Sequence, residues 1–70
     1  MKAIVSQMAG TVLEFHVQVG DQVQEGQDVA TLESMKMQMG VPADQTGTVT
    51  QLKAQVGDFV NEGDPLVEVD

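Results

Sequence analysis

Residues 19–26 read Val19-Gly20-Asp21-Gln22-Val23-Gln24-Glu25-Gly26, and the same pattern returns 37 positions later as Val56-Gly57-Asp58-Phe59-Val60-Asn61-Glu62-Gly63. The similarity extends over two pseudo-repeats, 10–33 and 47–70, in which ten of 24 aligned positions are identical. Each copy by itself would leave an apolar face that only the other copy can cover. The sequence therefore predicts two copies packed about a pseudo-two-fold axis.

Both copies carry the pattern of short β-strands. Apolar and β-branched residues alternate with polar ones in residues 11–19, and a short apolar run follows in residues 29–32. The seven glycines recur at short intervals, and no window between two of them keeps a helical period. Alternating strands separated by Gly-rich turns predict an all-β fold. We expect a flattened barrel or sandwich of two four-stranded antiparallel sheets.

Length and composition limit the architecture. The 70 residues suffice for one small domain, and we expect residues 1–70 to form it. The chain has no cysteine, so it has neither a disulfide framework nor a thiolate metal site. The N-terminal apolar run is too short for a signal peptide, and no apolar run approaches a membrane span. These features predict a soluble, cytoplasmic protein without a membrane partner.

The charge balance restricts the partners. Eleven acidic residues against three basic ones give a net charge of −8 and a pI of about 4.1. A nucleic-acid backbone needs a basic footprint that three dispersed lysines cannot supply, so no nucleic-acid partner is expected. The acidic surface favours solubility and would steer the protein toward basic clefts on other proteins.

The segment that joins the copies, residues 34–46, has no counterpart in the repeat. We expect it to form a hairpin, which the pseudo-two-fold axis would place at the end of the domain away from both termini. At its start stands Glu33-Ser34-Met35-Lys36-Met37, with a rare lysine between two methionines. Tight hairpins prefer Asn-Gly or Gly-X, because these residues tolerate positive φ. A Met-Lys tip is a poor choice for stability alone, which indicates that Lys36 is displayed as an attachment point.

The other titratable residues give weaker indications of a functional site. Lys53 takes the place of His16 in the second copy, lacks flanking methionines and is expected to be a solvated strand residue. His16 is the only histidine and has no acidic or cysteine cluster beside it in the sequence, so it is neither a convincing base nor a metal ligand. Asp21 and Asp58 recur in both copies and indicate turn chemistry. No catalytic or metal-binding residues are predicted.

The pattern Glu33-Ser34-Met35-Lys36-Met37 resembles the attachment motif of biotinyl domains of the biotinyl/lipoyl attachment family. The resemblance covers the whole chain, since residues 8–11, the two repeated turns, Ala43 and Gly47 also fit the family spacing. Two departures stand out. No thumb loop interrupts the first strands, which is similar to the compact attachment proteins and to thumbless biotin carboxyl carrier domains. Gly40 and Pro42 lie in the outgoing strand, where a proline suits an edge or a bulge.

The resemblance implies a barrel-sandwich hybrid fold and a carrier that is not itself an enzyme. Biotin would be joined to Lys36 through an amide by a biotin protein ligase, with Glu33, Met35 and Met37 as ligase-recognition residues. The carried group would move carboxylate between biotin carboxylase and carboxyltransferase subunits or domains of a biotin-dependent carboxylase system.

Two alternatives stay open. The same lysine could carry lipoate for acyl or aminomethyl transfer, although lipoyl domains typically place Asp before the lysine and a small residue after it. The resemblance to compact attachment proteins also leaves open that Lys36 accepts both biotin and lipoate. The chain could also be an unmodified hammerhead interaction module, but such a module has no use for a lysine between Met35 and Met37.

Overall fold

The computed structural model describes residues 2–70. Its strands, in chain order, are β1 (Lys2–Val5), β2 (Gly10–Phe15), β3 (Gln22–Val23), β4 (Asp28–Ser34), β5 (Met37–Pro42), β6 (Gly47–Leu52), β7 (Phe59–Val60) and β8 (Pro65–Val69). They form two four-stranded antiparallel sheets, ordered β1-β8-β6-β3 and β5-β4-β2-β7. The predicted all-β sandwich is confirmed. Residues 2–70 contain no helix that could cross a membrane.

The pseudo-two-fold relation is visible in the strand register. Val49 pairs with Val69 in one sheet as Val12 pairs with Leu32 in the other, and both pairings shift register just beyond these residues. The offset between equivalent positions is 37 residues, as in the sequence repeat. The two halves therefore share their hydrogen-bonding pattern as well as their sequence pattern.

The structure corrects one expectation about residues 34–46. Ile4 on β1 pairs with Val67 as Val41 on β5 pairs with Ala30, so residues 39–42 do have a counterpart, which is residues 2–5. The sequences of these two strands share no identical residue. Strand pairing uses backbone groups and does not require particular side chains. At the equivalent positions Ile4 and Val41, the fold needs only a buried aliphatic side chain. Sequence comparison therefore could not detect this part of the repeat.

The two short strands are exchanged between the copies. β3 belongs to the first pseudo-repeat but pairs with β6 of the second, and β7 makes the reciprocal pairing with β2. The turn before each of these strands also donates a backbone hydrogen bond to the other copy. The Gly20 N–H donates to the Val49 carbonyl and the Gly57 N–H to the Val12 carbonyl, both at 2.8 Å. Neither copy can complete its sheet without the other.

The core between the sheets is aliphatic, as the sequence predicts. Its buried side chains are Ile4, Val12, Val17, Val23, Val29, Ala30, Leu32, Val41, Ala43, Val49, Val60, Leu66, Val67 and Val69. Phe15 packs against this cluster at its margin, whereas Phe59 lies outside it. Full burial of a valine or leucine side chain is worth about 1.5–3 kcal/mol, so these buried positions hold the two sheets together.

The repeated Gly-Asp turns behave as predicted. The Asp21 carboxylate accepts a hydrogen bond from the Gln18 N–H at 2.9 Å, and the Asp58 carboxylate accepts one from the Gln55 N–H at 3.0 Å. Each carboxylate thereby satisfies a backbone donor of its own turn. Recurrence of these acids in the two copies is explained by turn geometry.

Replacement of Gly10 tests the close packing of β2 on β4. A Cβ at Gly10 would lie 2.8 Å from the Glu33 carbonyl oxygen, a backbone atom that cannot move independently. We expect Gly10→Ala to lower the free energy of unfolding by about 1–3 kcal/mol, as overpacking does. Urea denaturation checks this, with exposed Gln7→Ala as the control. Equal stability of Gly10→Ala and the control would contradict the packing interpretation.

Candidate functional site

The hairpin between β4 and β5 turns within two residues. Ser34 pairs with Met37 at the last rung, which leaves Met35 and Lys36 as the central residues of the turn. Their φ angles are 54° and 65°. Positive φ at both central positions is the requirement of a type I′ turn, which is usually met by Asn-Gly. The sequence-based expectation of a conformationally costly Met-Lys tip is confirmed.

These two residues are unusual within the structure. Among residues 2–70 they are the only non-glycine residues with positive φ. The left-handed conformation costs an L-residue roughly 1–2 kcal/mol. Such a cost persists where the surrounding structure enforces it, and it is concentrated at functional sites. The six paired positions between β4 and β5 enforce it here.

The tip presents its side chains to solvent. Lys36 is exposed, the Met35 side chain is 92% exposed and that of Met37 is 61% exposed. Within residues 2–70, the two ion pairs found do not involve Lys36. The turn therefore fixes where the Lys36 side chain leaves the backbone, and it places that residue between two methionines with exposed side chains.

Glu33 lies on the outward face of β4, one residue before the hairpin's last rung. It is exposed and pairs with Gln38 on one side and with Thr11 on the other. Glu33, Met35 and Met37, which the sequence singles out beside Lys36, are thus all exposed.

Lys53 and His16 occupy equivalent positions and have ordinary surface roles. Lys53 Nζ lies 3.5 Å from a carboxylate oxygen of Glu68, and His16 Nε2 lies 2.7 Å from Thr31 Oγ1 at the equivalent place in the other half. Lys53 is exposed, as the sequence predicts, but it follows the end of β6, so it is an ion-paired loop residue and not a strand residue. No metal-binding cluster of acids and histidine occurs within residues 2–70.

One exposed residue near the site was not singled out in the sequence. Phe59 on β7 is 65% exposed and pairs with Thr11, which in turn pairs with Glu33. The available signal was the repeat itself, since Gln22 takes the place of Phe59 in the other copy.

The family model described as biotin-requiring enzyme, Biotin_lipoyl, matches residues 2–69. The chain belongs to the biotinyl/lipoyl attachment domain family. A curated relative, the biotin/lipoyl attachment protein of Bacillus subtilis (strain 168), is 54% identical over 40 residues, which are 57% of this chain and 55% of that protein. The match thus spans little more than half of the relative.

Solved structures with this fold include parts of large carboxylases. A single-chain, multi-domain long-chain acyl-CoA carboxylase superposes with a TM-score of 0.85 at 33% identity, over 94% of this chain and 7% of that chain. The urea carboxylase of Kluyveromyces lactis superposes with a TM-score of 0.89 at 30% identity, over 99% of this chain and 6% of that chain. The attachment domain therefore matches a small portion of each enzyme.

The strain at the tip of this attachment domain can be measured directly. Lys36→Gly should raise the free energy of unfolding by about 1 kcal/mol, because glycine adopts the left-handed conformation without a steric penalty. Lys36→Ala removes the same charge but keeps Cβ, so it should stay within about 0.5 kcal/mol of the wild type. Urea denaturation of the three proteins distinguishes these outcomes. Equal gains in both variants would attribute the effect to charge instead of backbone conformation.

Proposed function

We propose that this domain is a biotin carboxyl carrier in which Lys36 is the covalent attachment site. The observation that carries the proposal is the strained turn, which holds an exposed lysine between two exposed methionines. A sequence selected for stability alone would place Asn-Gly there. The similarity to portions of two carboxylases supports biotin as the group carried.

Lys36 fits an amide-linked cofactor. Its amine is exposed and takes part in neither of the ion pairs found in residues 2–70, so no salt bridge has to break before it reacts. Its proton must leave before it can act as a nucleophile, since a lysine amine in water is mostly charged at neutral pH. We infer that the modifying ligase supplies the environment in which this proton is lost.

The attachment step is an acyl transfer. The neutral Lys36 Nζ attacks the carbonyl carbon of a biotinyl-adenylate held by the ligase. A C–N bond forms, the bond from that carbon to the phosphate oxygen breaks, AMP leaves with the electron pair, and the nitrogen loses its second proton. The domain's contribution is position, because the paired strands of the hairpin hold the Lys36 backbone in one place and lower the entropy lost on reaching the reactive geometry.

Biotin, once attached, supplies the carboxyl-transfer chemistry. The domain's own residues hold Lys36, the anchor point. The whole domain would carry the attached group between a biotin carboxylase and a carboxyltransferase. Tethering raises the effective concentration of the carried group at each partner. No bond-making step is assigned to the domain's own side chains after attachment, which is why we propose a carrier and not an enzyme.

Glu33, Met35 and Met37 are proposed as ligase-recognition residues. The two thioethers flank the amine and are exposed, so they are available to an apolar pocket, and methionine adapts its shape to such contacts. Glu33 adds a carboxylate on the adjacent outward face of β4. The cytoplasmic location remains a prediction of the sequence.

Intact-mass measurement after incubation with a biotin protein ligase, ATP and biotin tests the proposed function. The wild-type domain should gain the mass of one biotinyl group, and Lys36→Arg should gain none because the acceptor amine is lost. Lys53→Arg is the matched control and should be modified like the wild type. Modification of Lys36→Arg would show that another residue is the acceptor. A wild-type domain that stays unmodified would contradict the biotin-carrier proposal. If a lipoate ligase also leaves it unmodified, the interaction-module alternative is favoured.

Lipoate attachment is the second candidate, and one observation favours keeping it. The Bacillus subtilis relative is named for both biotin and lipoyl attachment. If so, Lys36 is the acceptor for both groups, and the flanking residues determine whether a biotin ligase or a lipoate ligase modifies it. The exposed positions of Met35 and Met37 allow a ligase to sense them.

Replacing both flanking methionines tests that choice. Met35→Asp combined with Met37→Ala should lower biotinylation by at least about tenfold, the loss expected for one recognition contact worth about 1.4 kcal/mol, and should raise lipoylation by a lipoate ligase. Initial rates with each ligase give both values. Met39→Leu, a change at the half-buried third methionine of the hairpin, is the control and should alter neither. Unchanged rates in the double variant would remove the methionines from recognition.

A further inference from the structure

Exposed apolar side chains are unevenly distributed in this symmetric fold. The large exposed ones are Val19, Met35, Met37, Val56 and Phe59. Val19 and Val56 are equivalent turn residues, 61% and 62% exposed, so the fold itself accounts for them. Phe59 is different, because the equivalent residue is the polar Gln22. The fold can thus be built with a polar residue at this position, and an aromatic ring stands there in one copy alone.

Phe59 lies in a row of outward-facing side chains that leads to the attachment hairpin. Gln38, Glu33, Thr11 and Phe59 are successive cross-strand partners on β5, β4, β2 and β7. Directly opposed residues project from the same face of a sheet. The neighbouring positions Leu32, Val12 and Val60 are buried, which shows that this row faces away from the core. We name these four residues the outer row.

The outer row lies beside the reactive lysine. Glu33 precedes Lys36 by three residues, and adjacent strands are separated by about 4.8 Å. Phe59, two strands from β4, is therefore roughly 10 Å from Glu33 across the sheet. The equivalent row on the other sheet carries Asp70, Thr48 and Gln22, so it keeps the acid and the threonine and lacks the aromatic residue.

An exposed phenylalanine forgoes a stabilising contribution that the fold could use. Burial of its ring would stabilise the fold by removing apolar surface from water. Aromatic residues are enriched in protein–protein interfaces, where they fill pockets on the partner. Exposed Asp58 directly precedes Phe59, exposed Glu62 follows it by three residues, and the whole chain has a net charge of −8. A complementary partner surface would have an apolar pocket with basic residues around it.

Given the proposed function, we propose that Phe59 is an apolar anchor by which the biotin protein ligase docks on the outer row. An acylating enzyme must approach to within one lysine side chain of the hairpin. A stable interface covers about 800 Å² per partner, whereas the domain measures only 31 × 19 × 18 Å. A ligase that covers Lys36 therefore also covers the ends of β2 and β7. A carboxylase would need to reach only the group carried beyond the Lys36 side chain, so it has less need of this face.

Phe59→Gln is the sharpest test, because it installs the residue that the fold already accepts at Gln22. We expect its urea midpoint to match the wild type within error. Its KM for the domain in the ligase reaction should rise about tenfold, the effect of losing one interface contact of about 1.4 kcal/mol, while kcat stays the same. Val19→Gln, which removes an equally exposed apolar side chain at the equivalent of Val56, is the control and should change neither constant.

A competition experiment separates docking from chemistry. The Lys36→Arg domain cannot be acylated and should inhibit biotinylation of the wild type by occupying the ligase. Lys36→Arg combined with Phe59→Gln should require about tenfold more protein for the same inhibition. A merely structural role of Phe59 would leave this inhibition unchanged at equal stability.

Three results would overturn the proposal. The first is a KM of Phe59→Gln within twofold of the wild type. The second is a fall in kcat with KM unchanged, which would place the effect after docking. The third is equal inhibition by the Lys36→Arg domain with and without Phe59→Gln in the competition experiment. A wild-type domain that accepts no biotin would refute the proposed function, and the ligase-docking proposal would fall with it.

Discussion

The exchange of two short strands between the pseudo-repeats is the constraint on which the rest of the structure depends. β3 and β7 have two residues each, too few to be stable as separate strands. Each is held by pairing with a strand of the other copy, and the turn before it donates a backbone hydrogen bond into that copy, as from Gly20 to Val49. Since each sheet requires both copies, residues 10–33 and 47–70 fold as one unit.

This interlocked frame makes the costly hairpin tolerable. The turn at Met35 and Lys36 uses left-handed backbone at two non-glycine positions, at roughly 1–2 kcal/mol each. A small domain has a total stability of only about 5–15 kcal/mol, so the cost is a substantial share. It is sustained because the register of β4 on β5 is set by six pairs and by a core built elsewhere. The paired strands below the tip thereby fix where the Lys36 side chain leaves the backbone.

The internal symmetry also separates structural residues from functional ones without any homologue. Positions that keep their chemistry in both copies, such as Asp21 and Asp58, serve the turns. The pairs His16–Thr31 and Lys53–Glu68 differ in chemistry but bridge the same two places, so that difference is neutral for the fold. The exposed ring of Phe59 has no such explanation, which is why it points to a partner.

The sequence by itself determined the fold class, the duplicated frame and the singular lysine, because alternation, turn residues and a Met-Lys tip are local signals that survive without coordinates. It placed Glu33, Met35 and Met37 around Lys36 because all four lie within five consecutive residues. Only the tertiary structure showed that residues 2–5 are the counterpart of residues 39–42, and that Phe59 shares a face with Glu33. Both facts arise from backbone pairing between distant segments, and backbone hydrogen bonds leave no side-chain signature in a sequence.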